Sequence, residues 1–214
     1  MKSIKVAALD LEATGLINPD VPIEYQPRII EIGAVSTELT PKMAFSLETF
    51  SELVYPEMGI PEEVIKITGI TNEMVKDVDS FKTVHRRFAK FMTGVDLLFT
   101  FNGPAYDMPV LMFNLQRHNL QYQFPWPRLH IDLMTAASDY LGLVGKTGNK
   151  VPKLMELYQF LFGKEFGDAH RALNDAQATL DAGRELLRLG IIKIGDGIDE
   201  DLEGSTNKKL TQKG

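Results

Sequence analysis

A chain of 214 residues, 44% of them hydrophobic and 24% charged, is long enough for one well-packed globular core and too short for two full ones. It has no cysteine, which excludes disulfides, thiolate metal sites and a cysteine nucleophile; any metal must be held by oxygen and imidazole, a donor set that favours magnesium or manganese over structural zinc. The net charge of −6 weighs against a protein that coats nucleic acid nonspecifically but not against a nuclease, and with no signal-peptide pattern and no apolar run near the ~18 residues of a membrane span, an intracellular, cytoplasmic chain is expected.

Residues 4–9 form a short apolar run that reads as a buried strand, and residues 28–37 and 45–54 read as a second and a third, the last ending before Pro56. Their two-residue alternation is imperfect, as expected where both faces are covered. The loop over 15–27 contains Pro19, Pro22 and Pro27 and must be irregular. From Pro61 the pattern turns helical, with Glu62 and Glu63 suited to the positive end of a helix dipole. Phe81, Val84, Phe88 and Phe91 or Met92 recur at helical spacing behind Ser80 as N-cap. Residues 97–101 read as a fourth strand, 106–118 as a helix and 129–131 as a short fifth strand.

Residues 153–162 and 171–189 read as helices. On the second, Ala172, Ala176, Leu180, Gly183 and Leu187 share a face, and its small residues imply close approach to a sheet. After Gly190 the chain becomes polar and charge-segregated, with Asp199-Glu200-Asp201-Leu202-Glu203 ahead of Lys208 and Lys209, which reads as a flexible tail. The expected fold class is α/β, a mixed β-sheet of about five strands covered by helices on both faces, with one domain over residues 1–190 and a tail over 191–214.

Five polar residues stand at the edges of these elements. Asp10 and Glu12 lie two apart at the end of the first strand, so their side chains share a face and reach one cation. Asp107 falls in the first turn of the helix after the fourth strand, behind the sharp Asn102-Gly103-Pro104 turn that aims it over the sheet edge. Asp175 lies early in the last long helix. His170 is five residues earlier, too far for one helical face at about 100° per residue, and is placed just outside the helix, on a loop above Asp175. Each has a bland reading: Asp-x-Glu is common, Asp107 could merely complement a dipole, and a histidine near a helix start is more often structural.

Taken together these residue types make chemical sense. Four crowded carboxylates repel and take up protons unless cations are bound. Two divalent ions about 4 Å apart would offset that charge and clamp the attacking and leaving oxygens of a phosphodiester. A neutral imidazole with a pKa near about 6.5 would take the proton from the attacking water. Asp10, Glu12, Asp107 and Asp175 are thus expected to hold two Mg²⁺ or Mn²⁺ ions, with His170 as general base.

In this order and spacing, Asp10-x-Glu12, Asp107 and His170-x4-Asp175 resemble the DEDDh branch of the DnaQ-like 3′–5′ exonuclease superfamily, with its ribonuclease-H-like fold. The resemblance runs over about residues 4–187 and includes Ile30-Glu31-Ile32-Gly33-Ala34-Val35 and Ile67-Thr68-Gly69-Ile70. Ala13, where proofreading subunits usually carry a hydroxyl residue, and the one extra residue between Asn102 and Asp107 are similar to Trex-type members. The resemblance implies removal of nucleoside 5′-monophosphates from a 3′ end, with backbone around Glu12, Ala13 and Thr14, and the side chains of Leu16 and Ile70, meeting the terminal nucleotide. Asn102 and Tyr106 complete the expected substrate-binding set. It also implies single-stranded DNA or RNA as substrate, DNA favoured, in repair or proofreading. The candidate protein partners are a polymerase or other replication or repair protein, docked through the tail, and a second copy of the chain as a homodimer.

Other features yield to simpler explanations. Gly145-Lys146-Thr147 lacks the earlier glycine of a phosphate-binding loop, since position 140 is Tyr140, and residues 146–153, with three lysines, read as an exposed loop. Asp132 reads as a helix cap, Trp126 between two prolines as packing, and His85, His118 and His130 carry no assigned chemistry. Two rival functions remain: a binding module whose site is idle, against which five intact site residues speak, and an RNA or short-oligonucleotide nuclease, which 2′-hydroxyl recognition would decide.

Overall fold

The computed structural model describes residues 3–39, 47–145, 148–167 and 171–194. Five strands form one mixed sheet in the order β3-β2-β1-β4-β5: β1 (Ile4–Ala13), β2 (Ile29–Leu39), β3 (Glu48–Leu53), β4 (Leu97–Thr100) and β5 (Leu129–Asp132). The first three are antiparallel neighbours, while β4 runs parallel to β1 and β5 parallel to β4. Helices α1 (Glu62–Thr68), α2 (Asn72–Val75) and α3 (Phe81–Met92) precede β4, and α4 (Asp107–Arg117) connects β4 to β5. Helix α5 (Leu133–Leu141), a two-rung hairpin β6 (Val144–Gly145) and β7 (Gly148–Asn149), α6 (Leu154–Phe162) and the 17-residue α7 (Ala172–Arg188) follow.

Strand β1 is central and buried on both faces, and its period of two sorts its side chains between two cores. Ala7, Leu9, Leu11 and Ala13 pack with Phe88, Leu111 and Leu115 of α3 and α4. Ile4, Val6 and Ala8 pack with Leu157, Ala176, Leu180 and Leu186 of α6 and α7. Asp10 and Glu12 continue the second set, so they fall on the α7 face. The small residues of α7 do bring it close to the sheet: a Cβ on Gly183 would lie 2.6 Å from Cδ2 of Phe99. No described helix is long and apolar enough to cross a membrane.

Several expectations need adjustment. Past residue 190, Ile192 and Ile194 are buried in the same core cluster as Ile4 and Val6. Residues 195–214, including the acidic cluster 199–203, lie outside the described residues. So do Lys146 and Thr147, whose flanks pair as the β6–β7 hairpin and not as plain loop. Ser80 and Pro61 occupy the N-cap positions of α3 and α1, without a side-chain cap bond. The other histidines are structural: His85 is buried among Phe81 and Phe124, His118 stacks on Phe81, and His130 Nε2 lies 2.8 Å from Thr100 Oγ1. Trp126 packs edge-on against Phe124, ring centroids 4.7 Å apart.

Candidate active site

The site lies at the carboxyl end of β1, where that strand outruns its parallel neighbour. Pairing with β4 ends at Ala8–Phe99, whereas pairing with β2 continues to Glu12–Glu31. The Leu11 N–H, beyond the end of the parallel ladder, donates instead to Asp107 Oδ1 at 3.1 Å. A strand end that has lost one neighbour therefore captures the first residue of α4. Asp107 is buried, and the Asn102 turn that delivers it has a left-handed φ of 68°.

Asp10, Glu12 and Asp175 form the centre: one carboxylate oxygen from each lies within 4.8 Å of the others. Asp175 comes from the first turns of α7, its N–H donating to the Arg171 carbonyl at 3.1 Å. Burial is the largest influence on each of the other three acids. It raises Asp10 well above the ordinary carboxylate range, with Asp107, Asp175, Glu12 and Glu31 adding repulsion. Burial, then Asp175, Glu31 and Asp107, push Glu12 up to about 8, against a smaller opposing effect of Arg171. Asp107 is pushed up to about 7 by burial, in spite of the hydrogen bond from Leu11.

Such a set holds protons near neutrality unless positive charge is brought to it. Closely grouped hard oxygen donors with too little cationic compensation fit a divalent cation. Asp107 stands next to the three-oxygen group and not within it, although its charge is felt at both Asp10 and Glu12.

The substrate-facing expectations divide. Leu16 is 85% exposed beside the carboxylates' loop, and the Tyr106 hydroxyl donates to the Gly15 carbonyl at 2.9 Å, which pins the chain that presents it. Burial and the charges of Glu12, Asp107 and Asp10 push the Tyr106 phenol upward, so it remains a donor. Ala13 and Thr14 are buried; Thr14 Oγ1 accepts from Arg28 N at 3.0 Å and Thr14 N donates to the Arg28 carbonyl at 2.9 Å, which ties the residue to that loop. Asn102 and Tyr106 are half-buried at the turn. Ile70 is 0% exposed and packs with Ile30, Ile60 and Val75, next to the left-handed helix cap at Gly69. His170 lies outside the described residues.

Two acids acquire parts that their sequence positions hid. Asp132 stands at the N-cap of α5 without making the cap bond; its Oδ1 accepts from Thr100 Oγ1 at 3.3 Å and Gly103 N at 3.2 Å, bracing the turn ahead of Asp107. Glu31, 1% exposed on β2, binds Arg171 and the first residue of α7. A lone acid inside the apolar stretch 29–35 was the available signal for it.

An exonuclease family model, RNase_T, matches residues 7–182. The DNA polymerase III subunit epsilon of Aquifex aeolicus is 32% identical over 88% of this chain and 83% of its own length. That of Treponema pallidum is 26% identical over 98% of this chain and 88% of its own. Among solved structures, the nuclease domain of 3′hExo, described as a DEDDh family member bound to rAMP, superposes with a TM-score of 0.67 at 22% identity, covering 90% of this chain and 96% of that one.

Proposed function

The chain belongs to the exonuclease family, within the DEDDh, DnaQ-like superfamily of ribonuclease-H-like fold, and from that membership we propose that it removes nucleoside 5′-monophosphates from the 3′ end of single-stranded nucleic acid, DNA before RNA. The observation that carries this reading is the meeting of Asp10, Glu12 and Asp175 within 4.8 Å, from β1 and α7, with Asp107 alongside. These four carboxylates would hold two divalent cations, Mg²⁺ or Mn²⁺. Bound there, the cations offset the carboxylate charge and supply electrophilic assistance at the scissile phosphate.

The chain's own residues supply the rest. His170, one residue before the Arg171 that Glu31 holds, takes a proton from the attacking water as a neutral imidazole. Leu16 offers an apolar face to the terminal base, and Tyr106 keeps the loop under Leu16 in place. Backbone at Ala13 and Thr14, with Asn102 across the site, faces the terminal nucleotide. The relatives named epsilon are subunits of a polymerase, which supports a polymerase or other replication or repair partner here, reached through the tail, and a role in proofreading or repair. A homodimer is the other assembly to test.

The purified chain, given matched DNA and RNA oligomers labelled at the 5′ end, is expected to produce a ladder shortening from the 3′ end with Mn²⁺ and nothing with chelator, DNA being shortened faster. Intact oligomers in the presence of Mn²⁺ would return the chain to the idle-site, binding-module reading, and faster loss of RNA would reverse the sugar preference.

Two substitutions test individual roles. His170→Ala is expected to slow turnover by at least ~10²-fold, the scale of losing a general base; a two- to threefold loss, roughly, would demote His170 to a structural part. Tyr106→Phe is expected to raise KM roughly fivefold at unchanged kcat, the worth of about 1 kcal/mol from one neutral hydrogen bond. An unchanged KM would separate Tyr106 from substrate binding.

A further inference from the structure

A carboxylate buried in the middle of a strand is costly unless its oxygens are satisfied. Glu31 is 1% exposed, and among the described residues its side-chain partners come from one place, the entrance of α7. The Arg171 guanidinium reaches it through Nη2 at 2.8 Å to Oε1 and through Nε at 3.3 Å to both oxygens. Ala172 N donates to Oε2 at 3.1 Å. That amide is one of the first-turn donors that a helix cannot satisfy internally, and the N-cap residue Arg171 makes no side-chain cap bond to the helix. Glu31 thus caps α7 from across the sheet.

Two residues further along β2, Gly33 makes the docking sterically allowed. A Cβ there would lie 2.0 Å from the carbonyl carbon of Ala172 and 2.2 Å from Leu173 N, inside any real contact. The register joins this pair to the carboxylate cluster, since Glu31 faces Glu12 across the β1–β2 ladder and Gly33 faces Asp10. One strand pair therefore presents two cluster acids on β1 and two helix-docking residues on β2. Asp175 is three residues beyond Ala172, one turn along the same side of α7, so a shift at the helix entrance is carried to its carboxylate.

We propose that Glu31 is a positioning residue that clamps the entrance of α7 and thereby sets Asp175 against Asp10 and Glu12. Gly33 provides the space into which the clamp draws the helix. Arg171 is both the clamp's partner and the residue after His170, so the same contact lies one residue from the proposed base. The effect on the cluster rests on the metal-site reading above; the clamp itself rests only on the contacts of Glu31.

The test uses the full chain and the variants Glu31→Ala, Glu31→Gln and Arg171→Ala, with Val84→Ala as a control: Val84 is buried among the α3 and α4 side chains, away from α7. Exchange of the Ala172 amide is followed by NMR, Mn²⁺ binding by calorimetry without substrate, and kcat and KM separately. Glu31→Ala is expected to speed Ala172 exchange, to weaken Mn²⁺ binding by roughly 10–100-fold, the effect of losing a group that orients a ligand, and to lower kcat with little change in KM. Glu31→Gln, which keeps an acceptor but no charge, is expected to lie between it and the parent. Val84→Ala should lower the melting temperature and leave Mn²⁺ affinity alone.

Parental Mn²⁺ affinity in Glu31→Ala would overturn the proposal, as would an equal weakening in Val84→Ala. If Glu31→Ala does not fold, parental affinity in both Glu31→Gln and Arg171→Ala overturns it instead. A parent chain that binds Mn²⁺ and degrades nothing would sink the exonuclease reading while leaving the clamp standing; a parent that binds no Mn²⁺ sinks the metal-site reading, and parental Ala172 exchange in Glu31→Ala then overturns the clamp.

Discussion

Asp175→Ala is expected to reduce turnover by at least about 10³-fold, the upper range for removing one preorganised electrostatic group, while the domain stays folded. The carboxylate contributes one of three oxygens that lie within 4.8 Å of one another, and it is the only one of the three that α7 supplies. Without it the helix no longer closes the cluster, and the acids on β1 are left to grip a cation alone. The fold should tolerate the change because Asp175 is a source of repulsion: its charge raises Asp10, Glu12 and Asp107 alike. The buried face of α7 is built from Ala172, Ala176, Leu180 and Leu186 and does not depend on it. Chelator-treated Asp175→Ala should melt at or above the parent's temperature by circular dichroism. Normal turnover would remove Asp175 from the site, and an unfolded variant would make it structural.

How far such a site can be read in advance depends on the kind of information each residue carries. That Asp10 and Glu12 share a face follows from the two-residue period of a strand, and the structure places both on the α7 face, beyond Ile4, Val6 and Ala8. Apolar patterning ends the strand at Leu9, whereas backbone pairing with β2 carries it to Ala13. Strand ends are decided by hydrogen-bonded partners and not by hydrophobicity. Asp107 was legible as a first-turn residue of α4, but its bond from Leu11 depends on β4 ending early, a register fact that no local pattern encodes.

Asp132 shows the same limit from the other side. Its position at the start of α5 matches the expectation of a cap, yet its carboxylate turns to Gly103 and Thr100, residues brought near only by the parallel pairing of β4 with β5. Glu31 could have been flagged as the one acid in an apolar run, but its partners lie 140 and 141 residues away. The burial of Ile70 and of the pair Ile192 and Ile194 depends on which cluster a loop reaches, and local pattern does not carry that. The place of a residue on its own strand or helix was readable; its long-range partners were not.

Removing divalent metal is expected to abolish activity and to give stability a downward slope with pH. The sign follows from proton counts. Glu12 titrates near 8 in the fold against an ordinary 4.5, and Asp107 near 7 against 3.8, while Asp10 is also raised. Between those limits the folded chain holds more protons than the unfolded one, so stability falls as pH rises. It is greatest below about 4, on this contribution alone, and is lost as pH rises through about 7 and about 8, where Asp107 and Glu12 give up their protons. A cation that binds only the folded cluster supplies the missing positive charge and adds stability that grows as the acids deprotonate. Melting curves in chelator from pH 5 to pH 8.5 should therefore move to lower temperature, by about 2–4 °C for each kcal/mol lost in a domain of this size. The same series with Mn²⁺ should stay flat or rise. The double variant Asp10→Asn with Glu12→Gln should erase the Mn²⁺ effect and reduce the slope to the part that buried Asp107 contributes. Parallel curves for parent and double variant would mean that these acids are not the charged centre of the fold.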